Sequence, residues 1–303
     1  MEKQSKINYS IIIPHKNIPE LLSRCLKSIP VRDDVQVIVV DDNSDLNKVD
    51  FENFPGLNNP NTEIYFTKEG KGAGYARNVG LAKAKGRWLV FADADDFFND
   101  CFNEILDKYK EGFNVVYIDG TFQTNSVDSE TLGSRKSRGN HYNDWIKKSI
   151  TAGSVFEELR YKFYSPCGKF VSLDLVKEHN IKFEEVFSSN DVMFSTLSGH
   201  YADKILLDLN YLYCSTIRGG SLEYTITKEH IQPRLYAAIR QYHFLFSVNK
   251  AKYRMNIWVF IFQLRKLDKK GFKHNIQYCI KEMRLTHLIQ DSVKILIMFL
   301  KSK

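Results

Sequence analysis

The chain has 303 residues, 43% of them hydrophobic, and a formal net charge of +7, so it can bury the core of one large domain or of one and a half. Its five cysteines are scattered and include no C-x-x-C pair, which argues against a disulfide framework or a cysteine zinc site. No apolar run reaches the ~18 residues of a spanning helix, and the amino terminus has no signal-peptide core, so a cytoplasmic protein is expected.

In chain order, Tyr9 to Ile13 reads as a strand ended by Pro14. Leu21, Leu22, Cys25, Leu26 and Ile29 then recur at helical spacing after Pro19. Val35 to Val40 is a second strand, closing on Asp41-Asp42-Asn43-Ser44, and Glu63 to Phe66 a third. A glycine-rich turn leads into a helix from about Gly74 to Ala84. Trp88 to Ala92 is the fourth strand, and Val115 to Ile118 the fifth after a helix near Cys101 to Lys110. Strands interleaved with helices predict an α/β fold, mostly parallel, with helices on both faces. The polar stretch from Gly120 to Asn140 reads as a loop over the crevice. Helical patterns resume at Tyr142 to Ile150, Leu173 to His179 and Asp191 to Gly199, with strand-like runs at Lys204 to Leu207 and Tyr211 to Thr216. From Lys228 the pattern is helical to the end.

Charge is unevenly spread. From 250 to 303 there are 13 Lys and Arg against three acids, a net of +10 that leaves −3 for the rest. A basic segment of this kind seeks phosphate. On the last helix, Arg284, His287, Asp291, Lys294 and Lys301 share one face, and Leu285, Leu288, Ile289, Val293, Leu296, Ile297 and Leu300 the other. Such a helix can lie in a membrane interface or pack on the catalytic domain.

The acids Asp93, Asp95 and Asp96 follow the fourth strand, at the carboxyl edge where open α/β sheets bind ligands. Crowded carboxylates are relieved by a divalent cation, and Mg²⁺ or Mn²⁺ is usually held by one or two carboxylates with a substrate's phosphates. Capping of the next helix by Asp95 or Asp96 is the competing reading. Asp41 or Asp42, at the end of the second strand, could accept a base N–H or a ribose hydroxyl, or form an ordinary polar turn. The loop Gly70 to Gly80 fits neither G-x-G-x-x-G nor a P-loop, but it brings backbone N–H groups and Arg77 to a helix start.

Y-S-I-I-I-P-H-K-N at Tyr9 to Asn17, the Leu21 to Ile29 helix, V-I-V-V-D-D-N-S at Val37 to Ser44, G-A-G-Y-A-R-N-V-G at Gly72 to Gly80 and A-K-G-R-W-L-V-F-A-D-A-D-D at Ala84 to Asp96 together resemble the family 2 glycosyltransferases of the GT-A fold, of the bacterial surface-polysaccharide type. The resemblance continues more loosely through Lys169, Asn190 to Phe194 and Tyr213 to Leu222. It implies a GT-A domain over residues 1–225, with a donor half to about 120 and an acceptor half beyond, and a basic helical extension over 226–303. It also implies metal-dependent, inverting transfer of a sugar from a nucleotide-sugar donor, a UDP-sugar by preference, to a hydroxyl of a glycan or lipid-linked acceptor in polysaccharide biosynthesis.

Carried over by residue, the resemblance puts Pro14 and Asp42 at the nucleoside, Asp93 at the ribose or metal, and Asp95 as main ligand of Mg²⁺ or Mn²⁺. Arg77 braces the donor side, and Arg218 and Ser221 of the turn Ile217 to Leu222 approach the diphosphate. The family's Glu-Asp pair here reads Asn190-Asp191, so Asp191 is the expected base, with Asn190 and Lys169 lining the acceptor side. Two other functions remain open from sequence alone. A sugar-1-phosphate nucleotidyltransferase would share the sheet, nucleotide and metal, but no G-G-x-G-T-R-like loop is present; a glycan- or nucleotide-sugar-binding module would keep the fold without the chemistry. No nucleic-acid module is recognised, so no nucleic-acid partner is expected. Peripheral attachment to the cytoplasmic membrane face through the last helix is expected from the charge excess.

Overall fold

A computed structural model of the chain describes residues 7–118, 121–126, 132–133, 138–217 and 226–301. The elements run β1 (Tyr9–His15), α1 (Pro19–Lys27), β2 (Val35–Asp42), β3 (Thr62–Thr67), α2 (Ala73–Lys83), β4 (Trp88–Phe91), β5 (Phe97–Phe98), α3 (Phe102–Lys108) and β6 (Val115–Ile118). They continue with β7 (Thr121–Ser126), β8 (Leu132–Gly133), α4 (Arg138–Ala152), α5 (Glu157–Lys162), β9 (Lys169–Ser172), α6 (Leu173–Glu178), α7 (Val192–Tyr201), β10 (Ile205–Asp208) and β11 (Tyr213–Ile217). The extension comprises α8 (Lys228–Ser247), a 3-10 turn at Ala251–Tyr253, α9 (Trp258–Leu267), α10 (Phe272–Glu282) and α11 (Leu285–Lys301).

The main sheet has seven strands in the order β10-β6-β9-β4-β1-β2-β3. Only β9 opposes the common direction, pairing antiparallel with β4 on one side and β6 on the other. β1, β2 and β4 are buried on both faces, which is why their sequences read as continuous Ile and Val runs and not as alternation. α2 lies directly on this sheet: a Cβ at Gly80 would stand 2.5 Å from Cγ2 of Ile12, so only glycine allows the approach. The mostly parallel sheet, its flanking helices and the helical extension agree with the GT-A-like architecture that the resemblance implies.

Two strands inside the expected crevice loop are corrections. β7 and β8 join β11 and β5 in a second, four-stranded sheet of order β5-β11-β7-β8, because β11 offers both of its edges for pairing. β5 and β9 are further strands that the sequence pattern does not announce. Being antiparallel, β9 starts where its neighbours end, with Lys169 opposite Tyr117 and Phe170 opposite Val90, and so delivers Lys169 to the sheet's carboxyl edge.

The extension has a core of its own, built from residues such as Ile231, Leu235, Ile239, Ile257, Ile261, Met283 and Leu288. It is bolted to the α/β domain through α8, where the buried Gln241 amide donates to the Tyr161 carbonyl at 2.9 Å and to the Thr196 hydroxyl at 3.1 Å. α11 is turned differently from the face assignment made on sequence. Asp291 faces inward, 1% exposed, and takes a two-pronged pair from the buried Arg254 at 2.8 and 3.0 Å. Leu285, Ile289, Val293 and Ile297 face outward instead, because a buried guanidinium needs a counter-charge more than four aliphatic side chains need cover. The Leu296 and Leu300 side chains lie outside the described residues.

Removing Asp291 should therefore cost more than an ordinary surface substitution. Asp291→Ala leaves Arg254 buried and uncompensated and is expected to lower stability by about 3–5 kcal/mol. Replacing both partners with apolar residues, Arg254→Met with Asp291→Leu, should recover most of that loss; urea unfolding of the three proteins measures it.

Candidate active site

The carboxyl ends of β1 and β2 lie side by side, Pro14 opposite Val40 and His15 opposite Asp41. The two aspartates that close β2 do different things. Asp41 is saturated: its carboxylate accepts from the His15 ring at 2.7 Å, the Ser44 hydroxyl at 2.6 Å and the Ser44 N–H at 2.9 Å. Burial alone would raise its pKa, but those donors outweigh burial and hold it below the ordinary carboxylate value. Asp42 accepts the Gly72 N–H at 2.8 Å and stands 3.5 Å from the Lys16 amine, both through Oδ2. Its other oxygen, Oδ1, is buried with no hydrogen-bond partner, and that acceptor opens the case for a ligand N–H or hydroxyl. The residue pattern leaves Asp41 and Asp42 open for this role and the resemblance names Asp42; of the two, Asp42 keeps a buried oxygen without a partner.

After β4 the chain enters the acidic loop. Asp96 is buried and committed to structure, accepting the Tyr213 hydroxyl and the Thr216 N–H, each at 2.7 Å. Burial first, and then the charges of Asp93 and Asp95, push its carboxyl well above the usual range. It does not cap α3, whose first residue is preceded by Cys101 without a side-chain cap. Tyr213 also accepts the Asp93 N–H at 2.8 Å, and Arg24 and the Thr216 hydroxyl both donate to the Asp95 carbonyl. The backbone of the loop is thus pinned from α1 and β11, while the side chains of Asp93 and Asp95 stay partly open. Arg24, Tyr213 and Thr216 were not singled out on sequence, since nothing local marks residues that act on a loop over 70 positions away.

Arg77, on α2, joins this loop to the second half of the chain. Its guanidinium is buried over the Phe183 ring and donates to Asp93 at 2.5 Å and to the Asn190 side-chain oxygen at 2.8 Å. Burial would lower its pKa, but Asp93, Cys167 and Asp191 lift it above the usual arginine value, so the Asp191 carboxylate is within electrostatic reach of the same group. The segment that carries Asn190 is closed by a Glu184 N–H to Asn190 carbonyl bond of 2.9 Å and docks against the start of α2. A Cβ at Gly74 would lie 2.1 Å from the Glu184 carbonyl oxygen, so glycine is required there for contact. Asp191 precedes α7, yet its carboxylate makes no capping hydrogen bond to that helix.

Lys169 completes the arrangement from behind. It is 1% exposed, its amine donates to the Phe163 carbonyl at 2.9 Å, and it lies over the rings of Phe163 and Tyr117. Burial holds its pKa down to about 7 against the opposing pull of Asp191. The side chain expected to line the acceptor crevice therefore meets protein and not open solvent. Arg218 and Ser221 lie outside the described residues. Among the described residues, no three His, Cys, Asp or Glu side chains gather as a ready metal-ligand set.

Residues 10–179 match the family model described as glycosyl transferase family 2. The minor teichoic acid biosynthesis protein GgaB of Bacillus subtilis is 27% identical over 193 residues, 61% of this chain and 20% of that protein. The chain thus spans about a fifth of that relative's length. Among solved structures, TarS residues 1–349 of S. aureus in complex with UDP-GlcNAc matches with a TM-score of 0.59 and 18% identity, covering 94% of this chain and 79% of that 1–349 chain. The mannosyltransferase PcManGT of Pyrobaculum calidifontis, in complex with GDP-Man and Mn²⁺, matches with a TM-score of 0.57 and 13% identity over 97% of this chain and 81% of the enzyme.

The buried amine has a measurable signature. Lys169 has a folded pKa of about 7 and an unfolded one of about 10.4, so between them the unfolded chain binds more protons and stability rises with pH. The parent should gain stability relative to Lys169→Met as pH is raised from 7 to 10, read from urea midpoints. Parallel curves for the two proteins would show that the amine is not held down by the fold.

Proposed function

The chain belongs to glycosyl transferase family 2, and from that membership we propose that it moves a sugar from a nucleotide-sugar donor, a UDP-sugar, to a hydroxyl of a glycan or lipid-linked acceptor, with inversion. The observation that carries the reading is the Arg77 bridge, which brings Asp93 on the donor side and the Asn190-Asp191 turn on the acceptor side to one buried cation. Ligands seen with two proteins of similar fold, UDP-GlcNAc in TarS and GDP-Man with Mn²⁺ in PcManGT, support a nucleotide sugar and a divalent ion.

Each residue then has a role its surroundings can sustain. The unpartnered Oδ1 of Asp42 accepts an N–H of the base, beside Pro14. Asp93 and Asp95 fit a hard cation shared with the diphosphate: they are oxygen donors two residues apart and partly open, and their charges already disfavour ionisation of Asp96. Mg²⁺ or Mn²⁺, when bound there, would neutralise charge on the departing diphosphate. Arg77 keeps Asp93 in place, and Arg218 and Ser221 approach the diphosphate as in the family.

Asp191 takes the proton of the acceptor hydroxyl, whose oxygen bonds to the anomeric carbon as the carbon–oxygen bond to the diphosphate breaks and its electron pair leaves with the nucleotide. Asn190 orients Arg77 in place of the family's Glu. Lys169 acts on Asp191 through charge and not by touching the acceptor. No helix among the described residues is long and apolar enough to cross a membrane, and a peripheral position at the cytoplasmic membrane face, in surface-polysaccharide synthesis, is part of the same proposal.

Two substitutions test the division of labour. Asp95→Ala should lose transfer and also weaken binding of UDP in the presence of Mn²⁺. Asp191→Asn should lower transfer by about 10²–10⁴-fold while leaving that binding close to parental. Nucleotide release across a panel of nucleotide sugars, with calorimetry of UDP and Mn²⁺, separates the two, and parental turnover in Asp191→Asn would remove it from the base's role.

A further inference from the structure

The extension presents an apolar strip that the domain does not use. Along α11, Leu285, Ile289, Val293 and Ile297 recur every four residues on the outward side, and Ile280 of α10 stands beside them. All five are between 46% and 62% exposed. Ile280, Leu285 and Ile289 share the rim of a shallow apolar groove of about 160 Å³ between α9, α10 and α11, so they form one surface and not isolated side chains. The α11 part alone runs over 13 residues, roughly 18 Å of helix from first to last, enough to lie flat in an interface and too short to span a bilayer.

The charge around this strip has one sign. Lys273, Lys281 and Arg284 are exposed beside it, with Arg284 stacked on the Phe246 ring at 4.3 Å, and Lys294 is 61% exposed. The three acids of residues 250–303 do not offset them outward. Asp268 pairs with Lys228 at 2.6 Å, Asp291 is buried on Arg254 with Lys294 at 3.8 Å, and Glu282, 27% exposed, is turned toward His243 of α8 at 3.0 Å. A second copy seated on the strip about a two-fold axis would bring these cations against themselves. An anionic headgroup layer would neutralise them while its acyl boundary covers the aliphatic residues.

We propose that the outward face of α10 and α11 is a docking surface for an anionic phospholipid interface. The inference rests on the peripheral placement in the reading above, whose sugar-transfer chemistry does not depend on it. The full chain is sedimented with vesicles of phosphatidylcholine alone and of phosphatidylcholine mixed with phosphatidylglycerol, at low and high salt. Binding is expected only to the mixed vesicles and only at low salt, with transfer to a soluble acceptor unchanged in all variants.

Lys281→Gln with Arg284→Gln should lower the partition by about 30-fold, and Ile289→Ser with Val293→Ser should abolish it, both with parental thermal melts. Equal binding to neutral vesicles, or binding that survives both double substitutions, overturns the proposal. So does a concentration-dependent dimer in ultracentrifugation that Ile289→Ser with Val293→Ser dissolves, since a second copy would then own the surface. Vesicle binding without transfer, by contrast, would count against the enzymatic reading and leave this one standing.

Discussion

A buried guanidinium is the constraint on which the site depends. Arg77 cannot be left in the interior without acceptors, because an unpaired buried charge costs several kcal/mol, and the fold supplies them from two distant segments: Asp93 after β4 and Asn190 before α7. Its place on α2 is fixed in turn by two close approaches, Gly80 on Ile12 and Gly74 on the Glu184 carbonyl. The loop after β4 and the turn before α7 are therefore set relative to one another by a single side chain held by packing. Asn190 supplies Arg77 with an acceptor that carries no negative charge, beside the Asp93 carboxylate.

The acidic loop shows how a cluster of like charges is tolerated. Of three carboxyls within four residues, one is withdrawn: Asp96 is buried, bonded to Tyr213 and Thr216, and disfavoured as an anion. The remaining two keep partial access to the crevice while their backbone is pinned by Arg24, Tyr213 and Thr216. The main chain of the loop is thus held from two sides while two carboxylates stay partly accessible, and on the proposed function a cation could bind there without reorganising the fold. The nearby positive charge is Arg77, buried and in direct contact with Asp93.

The strands that carry the site were legible in the sequence because burial on both faces forces long β-branched runs, as in Ile11-Ile12-Ile13 and Val37 to Val40. The acids that follow them were legible because strand ends are short and polar. β9 was not: Lys169-Phe170-Val171-Ser172 begins with a charge and runs straight into α6, and only its pairing with β4 and β6 makes it a strand. The residue pattern by itself does not divide Asp41 from Asp42, because the His15 and Ser44 hydrogen bonds that occupy Asp41 leave no local signature; Asp42 is singled out by the resemblance alone. On α11 the periodicity of the sequence predicts the helix but not the way it is turned. Amphipathicity ranks faces by polarity, whereas the helix is seated by one buried pair, Arg254 with Asp291, that overrides the ranking.

That seating links the extension to the chemistry. α8 packs on α9 to α11 through the extension's own core, and it also holds the loop before Asp191: Arg234 donates to the Ser188 hydroxyl at 2.9 Å, and Arg240 forms a two-pronged pair with Glu184. The Glu184 N–H closes the same loop on the Asn190 carbonyl. A surface on α10 and α11 is thus connected to Asn190-Asp191 by one rigid helix and a few charge-assisted bonds, with no flexible linker between. Whatever orients the extension orients the loop before Asp191 as well, so on the proposed function an interface engaged by α11 would set the angle at which an acceptor hydroxyl meets that residue.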